Sequence, residues 1–314
     1  MTETIRAAVI GVGHLGRYHA QKYAALPGCE LIGVVDSDSE RAESVGGELN
    51  VPAYTALESI LGRAEAVSIA TPTQLHFAVG KACLEAGMHV LIEKPLAATQ
   101  EQGQTLASLA RRHERILQVG YLERFNPAFL ACRPRIKGPR FIETLRISPF
   151  AGRGVDVDVV LDLMSHDLDL VTSMVDSPIR TLHAVGLSLM TSSTDLAHVH
   201  MVFQNGCVAN LTASRISAKA ERKMRLFQKN RYFSIDFSTP TAREYTTEGR
   251  PASETPIVEE PVEVQPGDAL LAEIQAFLAA VRGEAPLIVG GEEGLRAMSV
   301  AARVMEDIAR NTQP

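Results

Sequence analysis

A chain of 314 residues exceeds the usual size of one domain, so two domains are expected. Its 46% hydrophobic content can build sizeable cores, while 22% charged residues and a net charge of −6 argue against a general nucleic-acid binder. No window approaches the roughly 20 apolar residues of a membrane span, and residues 1–6 lack the basic and apolar segments of a secretion signal, so a cytoplasmic protein without a membrane anchor is expected.

The first apolar run, residues 7–10, leads into Gly11-Val12-Gly13-His14-Leu15-Gly16, a Gly-x-Gly-x-x-Gly at the passage from strand to helix. Such a turn lets backbone approach a pyrophosphate, with the amides of the helix N-terminus pointing at it. A second run, residues 31–35, ends at Asp36, 20 residues after Gly16 (36 − 16). That spacing suits a carboxylate on the adenosine ribose. Gly11, Gly13, His14, Leu15, Gly16 and Asp36 are therefore the expected cofactor residues. Asp36 is followed by Ser37 and not by an arginine, which favours NAD over NADP.

Further strands are expected at 67–70, 89–92 and 116–119, alternating with helices at 14–26, 39–49, 56–61, 73–86 and 99–112. This is the rhythm of a doubly wound parallel sheet, an α/β Rossmann domain assigned to residues 1–120. Gly87 fits a helix stop, and Thr99 with Gln102 a capping pair. After Gly120 the rhythm changes. Residues 121–314 read as an α+β domain with a mainly antiparallel open sheet, for substrate binding and oligomerisation, closed by C-terminal helices. A strand is expected at 141–148 and a helix at 161–175. In 197–203, Ala197, Val199, Met201 and Phe203 alternate with His198, His200 and Val202. Asn205-Gly206 predicts a hairpin into 207–214, and strands 225–227 and 232–237 flank Lys229-Asn230. Residues 244–267 carry four prolines and should hold at most one edge strand. Helices at 268–281, capped by Asp268, and 292–309 end the chain. The four cysteines have no metal or disulfide spacing, so buried reduced thiols and no metal are expected.

Glu93-Lys94-Pro95 stands at the end of the fifth expected strand, where ligands of such sheets bind. On position alone Lys94 is either a cofactor-site residue or a surface lysine. Together with the glycine turn and Ala70-Thr71-Pro72-Thr73-x-x-His76, these motifs resemble the Gfo/Idh/MocA oxidoreductases over essentially the whole chain. The resemblance implies that Lys94 binds the reacting hydroxyl. It also implies that Thr71, Pro72, Glu93 and Lys94 join the cofactor site. His76 matches a family position and reads first as a satisfied core histidine.

The family's Asp-x-x-x-His pattern is matched by Asp162-Leu163-Met164-Ser165-His166. At i,i+4 the carboxylate could orient the imidazole, which would act as general base. Asp158, Asp167 and Asp169 offer the alternative of a solvated acidic face. Val159-Val160-Leu161 also departs from the glycine-rich run common in the family.

Two segments are candidate substrate contacts. In Tyr121–Pro127, Arg124 and Asn126 could serve sugar or phosphate oxygens, or the segment is a rigid linker. Between 215 and 231 stand seven bases and one acid, including Arg215 and Lys219. They suit a diphosphate, or guard a solvated strand edge. Gly120–Pro127 and Leu211–Ser217, the latter followed by the basic Lys219–Arg225, resemble the branch of the family that oxidises the 3-hydroxyl of UDP-N-acetylglucosamine. That resemblance implies a nucleotide-sugar substrate, NAD as cofactor, and an aminotransferase making a 3-amino sugar for lipid A as the next step. The family also implies a homodimer or homotetramer. A dehydrogenase of a free polyol, inositol or dihydrodiol is the alternative enzyme, and a non-catalytic dinucleotide-binding regulator the alternative of another class.

Overall fold

The computed structural model describes residues 4–150, 152, 157–247 and 257–311. The chain divides into two compact units: residues 1–122 with 269–295, and residues 123–268 with 296–314.

The first unit is built on β1 (Ile5–Ile10), β2 (Cys29–Val35), β3 (Ala53–Tyr54), β4 (Ala66–Ile69), β5 (His89–Glu93) and β6 (Leu117–Gly120). All pair in parallel, in the order β3-β2-β1-β4-β5-β6. Ala7, Ala8 and Val9, like Val67, Val90 and Ile92, are wholly buried, as continuous apolar runs become when both sheet faces are covered. The covering helices are α1 (His14–Ala25), α2 (Ser39–Leu49), α3 (Thr73–Glu85) and α4 (Gln100–Arg112). Thr99 caps α4, its hydroxyl accepting from Gln102 N at 3.3 Å.

Two local expectations change. The helix at 56–61 is a single 3₁₀ turn, Leu57–Ser59, because the left-handed Gly62 (φ 69°) closes the segment before a helix can propagate. The two-residue β3 is too short to show any sequence period. A larger change concerns the domains. Helix α7 (Ala269–Val281) belongs to the first unit, where Ile274, Phe277 and Leu278 bury against the α1 side that carries Ala20 and Tyr23. The second unit is therefore not the continuous 121–314, and the break falls after Leu122.

The second unit is an eight-stranded sheet of β7 (Phe141–Ile147), β8 (Ile179–Leu187), β9 (Leu196–Phe203), β10 (Val208–Ser214), β11 (Glu221–Gln228), β12 (Arg231–Asp236), β13 (Thr241–Thr246) and β14 (Val258–Pro261). Its order is β14-β13-β12-β11-β7-β10-β9-β8, antiparallel throughout except at β7–β10. Gly206 (φ 84°) makes the β9–β10 turn and Asn230 (φ 62°) the β11–β12 turn, as the sequence suggests. The proline-bearing segment contributes one edge strand, β14; its residues 248–256 lie outside those described. One sheet face is covered by α5 (Pro127–Cys132), α6 (Ser165–Met174) and the later turns of α8 (Gly291–Asn311). The other face carries a half-buried aromatic row across neighbouring strands. Phe141 meets Phe227 at 5.8 Å between ring centroids, Phe227 stacks on Tyr232 at 4.8 Å, and Tyr232 on Tyr245 at 4.3 Å. Among the described residues no helix is long and apolar enough to cross a membrane.

Arg146 of β7 enters the covered face, and its guanidinium forks onto Asp167 at 2.9 and 3.0 Å and reaches Glu123 at 2.7 Å. All three groups are buried. Replacing Arg146 by Met should destabilise the fold by about 3–5 kcal/mol, because two buried carboxylates lose their cation. Urea unfolding measures this; an unchanged midpoint would refute the assignment.

Candidate active site

The cofactor half is built by the glycine turn of the first unit. Gly11 adopts φ 81°, and a Cβ there would stand 2.7 Å from Thr71 N. At Gly16 a Cβ would stand 1.8 Å from the Gly11 carbonyl oxygen, so only glycine lets α1 dock against the turn. Gly13 is different: its nearest neighbour is Arg41 at 3.9 Å, and the space outside it is open. A cleft of about 670 Å³ begins there, lined by Val12, Gly13, His14, Arg17, Tyr18 and Arg41 among others. Gly13 is the N-cap of α1 with no side-chain cap, and the first turn carries no acid. The donor set fits a dinucleotide: uncapped amides for the pyrophosphate and a carboxylate for the ribose.

That carboxylate, Asp36, is oriented from below. One oxygen accepts from Val12 N at 2.9 Å and the other from Asp38 N at 3.0 Å. Arg41 also approaches Asp36 at 3.5 Å while binding Asp38 at 2.8 Å. The sequence separation had hidden this, since one turn of α2 brings Arg41 back over the end of β2.

Thr71-Pro72 and Glu93-Lys94-Pro95 follow β4 and β5 side by side, and the Lys94–Pro95 peptide is cis. His76, in the first turn of α3, joins them: Nδ1 lies 2.8 Å from the Pro95 carbonyl and Nε2 2.9 Å from that of Thr71. Burial lowers its basicity, opposed by these two carbonyls. It is a buried histidine, as first read, and it also ties the two motif loops together. Behind Lys94, Glu93 accepts from His19 Nε2 at 3.0 Å, while His19 Nδ1 meets Ser68 Oγ at 3.1 Å and Tyr23 reaches the same hydroxyl at 2.9 Å. Gly120 leaves room for the Glu93 carboxylate, which a Cβ would crowd at 3.0 Å. Sequence patterns gave no sign of this network, because its members come from four separate elements.

The second unit carries Asp162 and His166. The expected helix begins as a π turn, Val160–Met164, where Ser165 N reaches back to Val160 O, and α6 follows. Asp162 stands in that wide turn and His166 at the start of α6, so the plain i,i+4 face of an α-helix is not the local geometry. The neighbouring acids are structural and not a solvated face. Asp158 accepts from Val160 N at 2.8 Å, Asp167 is bound by Arg146, and Asp169 by Arg124. Asp162 and His166 are each half-buried.

The expected substrate contacts fare differently. Arg124 clamps buried Asp169 through two bonds of 2.6 and 2.9 Å. Asn126 is buried as the N-cap of α5, accepting from Ala128 N and donating to Glu123 and the Phe237 carbonyl. Arg215 is buried too: it binds Asp195 at 2.9 Å and the Val157 carbonyl at 2.6 Å. Asp195 in turn accepts from the amides of Leu189, Met190 and Thr191. These three side chains hold the fold. Lys219 is exposed and paired with Glu221. The basic run is also divided by strand alternation. Lys223 and Arg225 fall on the aromatic face, Arg222 opposite Arg146 on the covered one, and Arg225 pairs with Glu143.

Residues 5–121 match the model of an oxidoreductase family with an NAD-binding Rossmann fold, and residues 156–314 match the C-terminal alpha/beta domain of the same Gfo/Idh/MocA family. A UDP-N-acetylglucosamine 3-dehydrogenase of Acidithiobacillus ferrooxidans is 40% identical over 306 residues, 96% of each chain. A solved structure of that enzyme superposes with a TM-score of 0.93, covering 99% of both chains. An NAD-dependent scyllo-inositol 2-dehydrogenase of Bacillus subtilis is 28% identical over 69% of each chain. The fold is also that of a Lactobacillus casei scyllo-inositol dehydrogenase solved with NAD(H) and scyllo-inositol, at 21% identity and a TM-score of 0.82.

Two substitutions test the site. Asp36→Ser should weaken NAD binding about tenfold or more, the worth of a hydrogen bond to a charged group, and let Arg41 receive the 2′-phosphate of NADP. Titration with both nucleotides reads this, and an unchanged preference for NAD would contradict it. Arg124→Ala should lower the melting temperature while leaving KM for substrate near that of the parent. A large KM effect in a well-folded protein would return Arg124 to the substrate site.

Proposed function

We propose, for a chain that belongs to the Gfo/Idh/MocA oxidoreductases and carries their NAD-binding Rossmann domain, oxidation of the 3-hydroxyl of UDP-N-acetylglucosamine to the 3-keto sugar. The observation that carries this reading is the 40% identity to an enzyme of that activity across 96% of both chains. The Glu93-Lys94-Pro95 and Asp162-x-x-x-His166 motifs, which resemble those of the family, support it.

Oxidising a secondary alcohol removes one proton and one hydride. His166 takes the hydroxyl proton as general base, and Asp162 orients its imidazole. Lys94 donates to the same oxygen and stabilises its negative charge as the C–H bond breaks. The glycine turn and Asp36 would hold NAD, which would supply the hydride acceptor. The His76 bridge between the Thr71 and Pro95 carbonyls keeps the loop bearing Lys94 in register with Thr71-Pro72. Arg124, Asn126 and Arg215 act indirectly, by holding the second unit's α5, α6 and the 189–195 loop in place. Of the four expected substrate contacts, Lys219 keeps an exposed ammonium for the diphosphate.

The ketone is a substrate for transamination, so the next enzyme is an aminotransferase yielding a 3-amino sugar, a lipid A precursor, in the cytoplasm. The half-buried aromatic row of the second unit's open sheet face supports assembly into a homodimer or homotetramer.

Reduction of NAD by UDP-N-acetylglucosamine, coupled to an aminotransferase to draw off the ketone, tests the substrate. Lys94→Ala and His166→Asn should each slow turnover by about 10² to 10⁴, the range of a general acid–base group. Near-normal turnover in His166→Asn would remove the proposed base. Equal rates with free N-acetylglucosamine or myo-inositol would favour a polyol dehydrogenase. No reduction with any sugar, despite tight NAD binding, would favour the regulator. Light scattering at micromolar concentration should find an oligomer, and a monomer would contradict the role given to the aromatic face.

A further inference from the structure

Helix α7 brings a carboxyl group under the Glu93-Lys94-Pro95 turn. Glu273 is wholly buried, and among the described residues neither of its carboxylate oxygens has a hydrogen-bond partner. One of them lies within 4.8 Å of both a Glu93 oxygen and a ring nitrogen of His19. The groups facing it are Glu93 from β5 and His19 and Tyr23 from α1, while β6 contributes the neutral Gln118, whose amide donates to the Glu273 backbone carbonyl at 3.1 Å.

The hydrogens of this cluster can be assigned. An ionised Glu93 only accepts, so His19 Nε2 carries the proton at that 3.0 Å contact. His19 Nδ1 then accepts from the Ser68 hydroxyl, and Ser68 accepts from Tyr23. Every donor in the chain is used, and Glu93 is its one anion. A second anion at Glu273, buried and a few ångströms away, would have neither solvent nor a counter-charge.

We propose that Glu273 is a positioning residue: it is held as a neutral carboxylic acid that shares its proton with the Glu93 carboxylate through one water, and so orients the Glu-Lys-Pro turn for the cofactor. The same three side chains could instead enclose a divalent cation. The complete hydrogen-bond chain from Tyr23 to Glu93 favours the proton, because it accounts for the cluster with no further charge. Burial, reinforced by Glu93, pushes the Glu273 carboxyl well above the usual range. The folded protein then holds a proton that the unfolded chain releases near pH ~4.3. Stability from this group is therefore complete below that pH and falls as pH rises toward the folded value.

The test uses the whole protein and NAD without any sugar, so it stands or fails separately from the substrate assignment. Glu273→Gln keeps a neutral donor of the same shape, and Glu273→Leu keeps the volume and removes the donor. Thermal unfolding across pH and NAD titration are read for both, with metal analysis of the purified wild type. The proposal expects Gln to bind NAD within about twofold of wild type and Leu to bind about tenfold more weakly. It also expects the alkaline decline in stability to flatten in the Gln variant. Equal NAD affinity in the Leu and Gln variants would show mere space filling and overturn it. So would parallel pH profiles of wild type and Gln. Stoichiometric metal in the wild type, lost in the Gln variant, would replace the proton by a cation.

Discussion

Everything in the cofactor half depends on how closely the Gly16 backbone approaches Gly11. A methyl group at Gly16 would lie 1.8 Å from the Gly11 carbonyl, so any side chain there would push α1 off the end of β1. With α1 docked, its uncapped N-terminus opens on the cleft at Gly13, and Val12 N reaches Asp36. Gly11 in turn lies against the Ala70–Thr71 backbone. Thr71 is linked by His76 to Pro95, and hence to Lys94. A contact between two glycines thus passes through three loops to Lys94.

The second unit follows a different rule, in which buried charge sets the architecture. Arg146 holds Asp167 and Glu123, Arg124 holds Asp169, and Arg215 holds Asp195. Two of these pairs grip α6 within a turn of His166, so the helix start that carries His166 is fixed from both sides. Arg146 and Arg124 each meet a carboxylate through the planar fork, and Arg215 spreads its donors over Asp195, Thr191 and the Val157 and Thr194 carbonyls, a geometry that lysine does not reproduce. Cations that suit a phosphate in the sequence are therefore engaged by carboxylates in the fold.

This explains what could be read from the residues alone. The parallel sheet was legible because buried runs such as Ala7–Ile10 and the glycine spacing are local, and the same holds for the turns at Gly206 and Asn230. The placement of α7 was not legible: its apolar face fits any core, and only Tyr23 and Ala20 on α1 determine which. Arg124, Asn126 and Arg215 looked like ligand donors because their acceptors, Asp169, Phe237 and Asp195, are 20 or more residues away. Glu273 was invisible for the same reason, since nothing in the helix around it marks a buried acid. Asp162 and His166 were legible as a pair, but the π turn between them was not.

In the proposed oxidation a hydride leaves carbon 3 of the sugar of UDP-N-acetylglucosamine for NAD. This transfer is tested most directly by UDP-N-acetylglucosamine carrying deuterium at that carbon, with mass analysis of the nicotinamide formed in the aminotransferase-coupled reaction. One deuterium is expected in the reduced cofactor. Unlabelled reduced cofactor, formed at a rate insensitive to the label, would show that the hydride comes from another carbon and would contradict it.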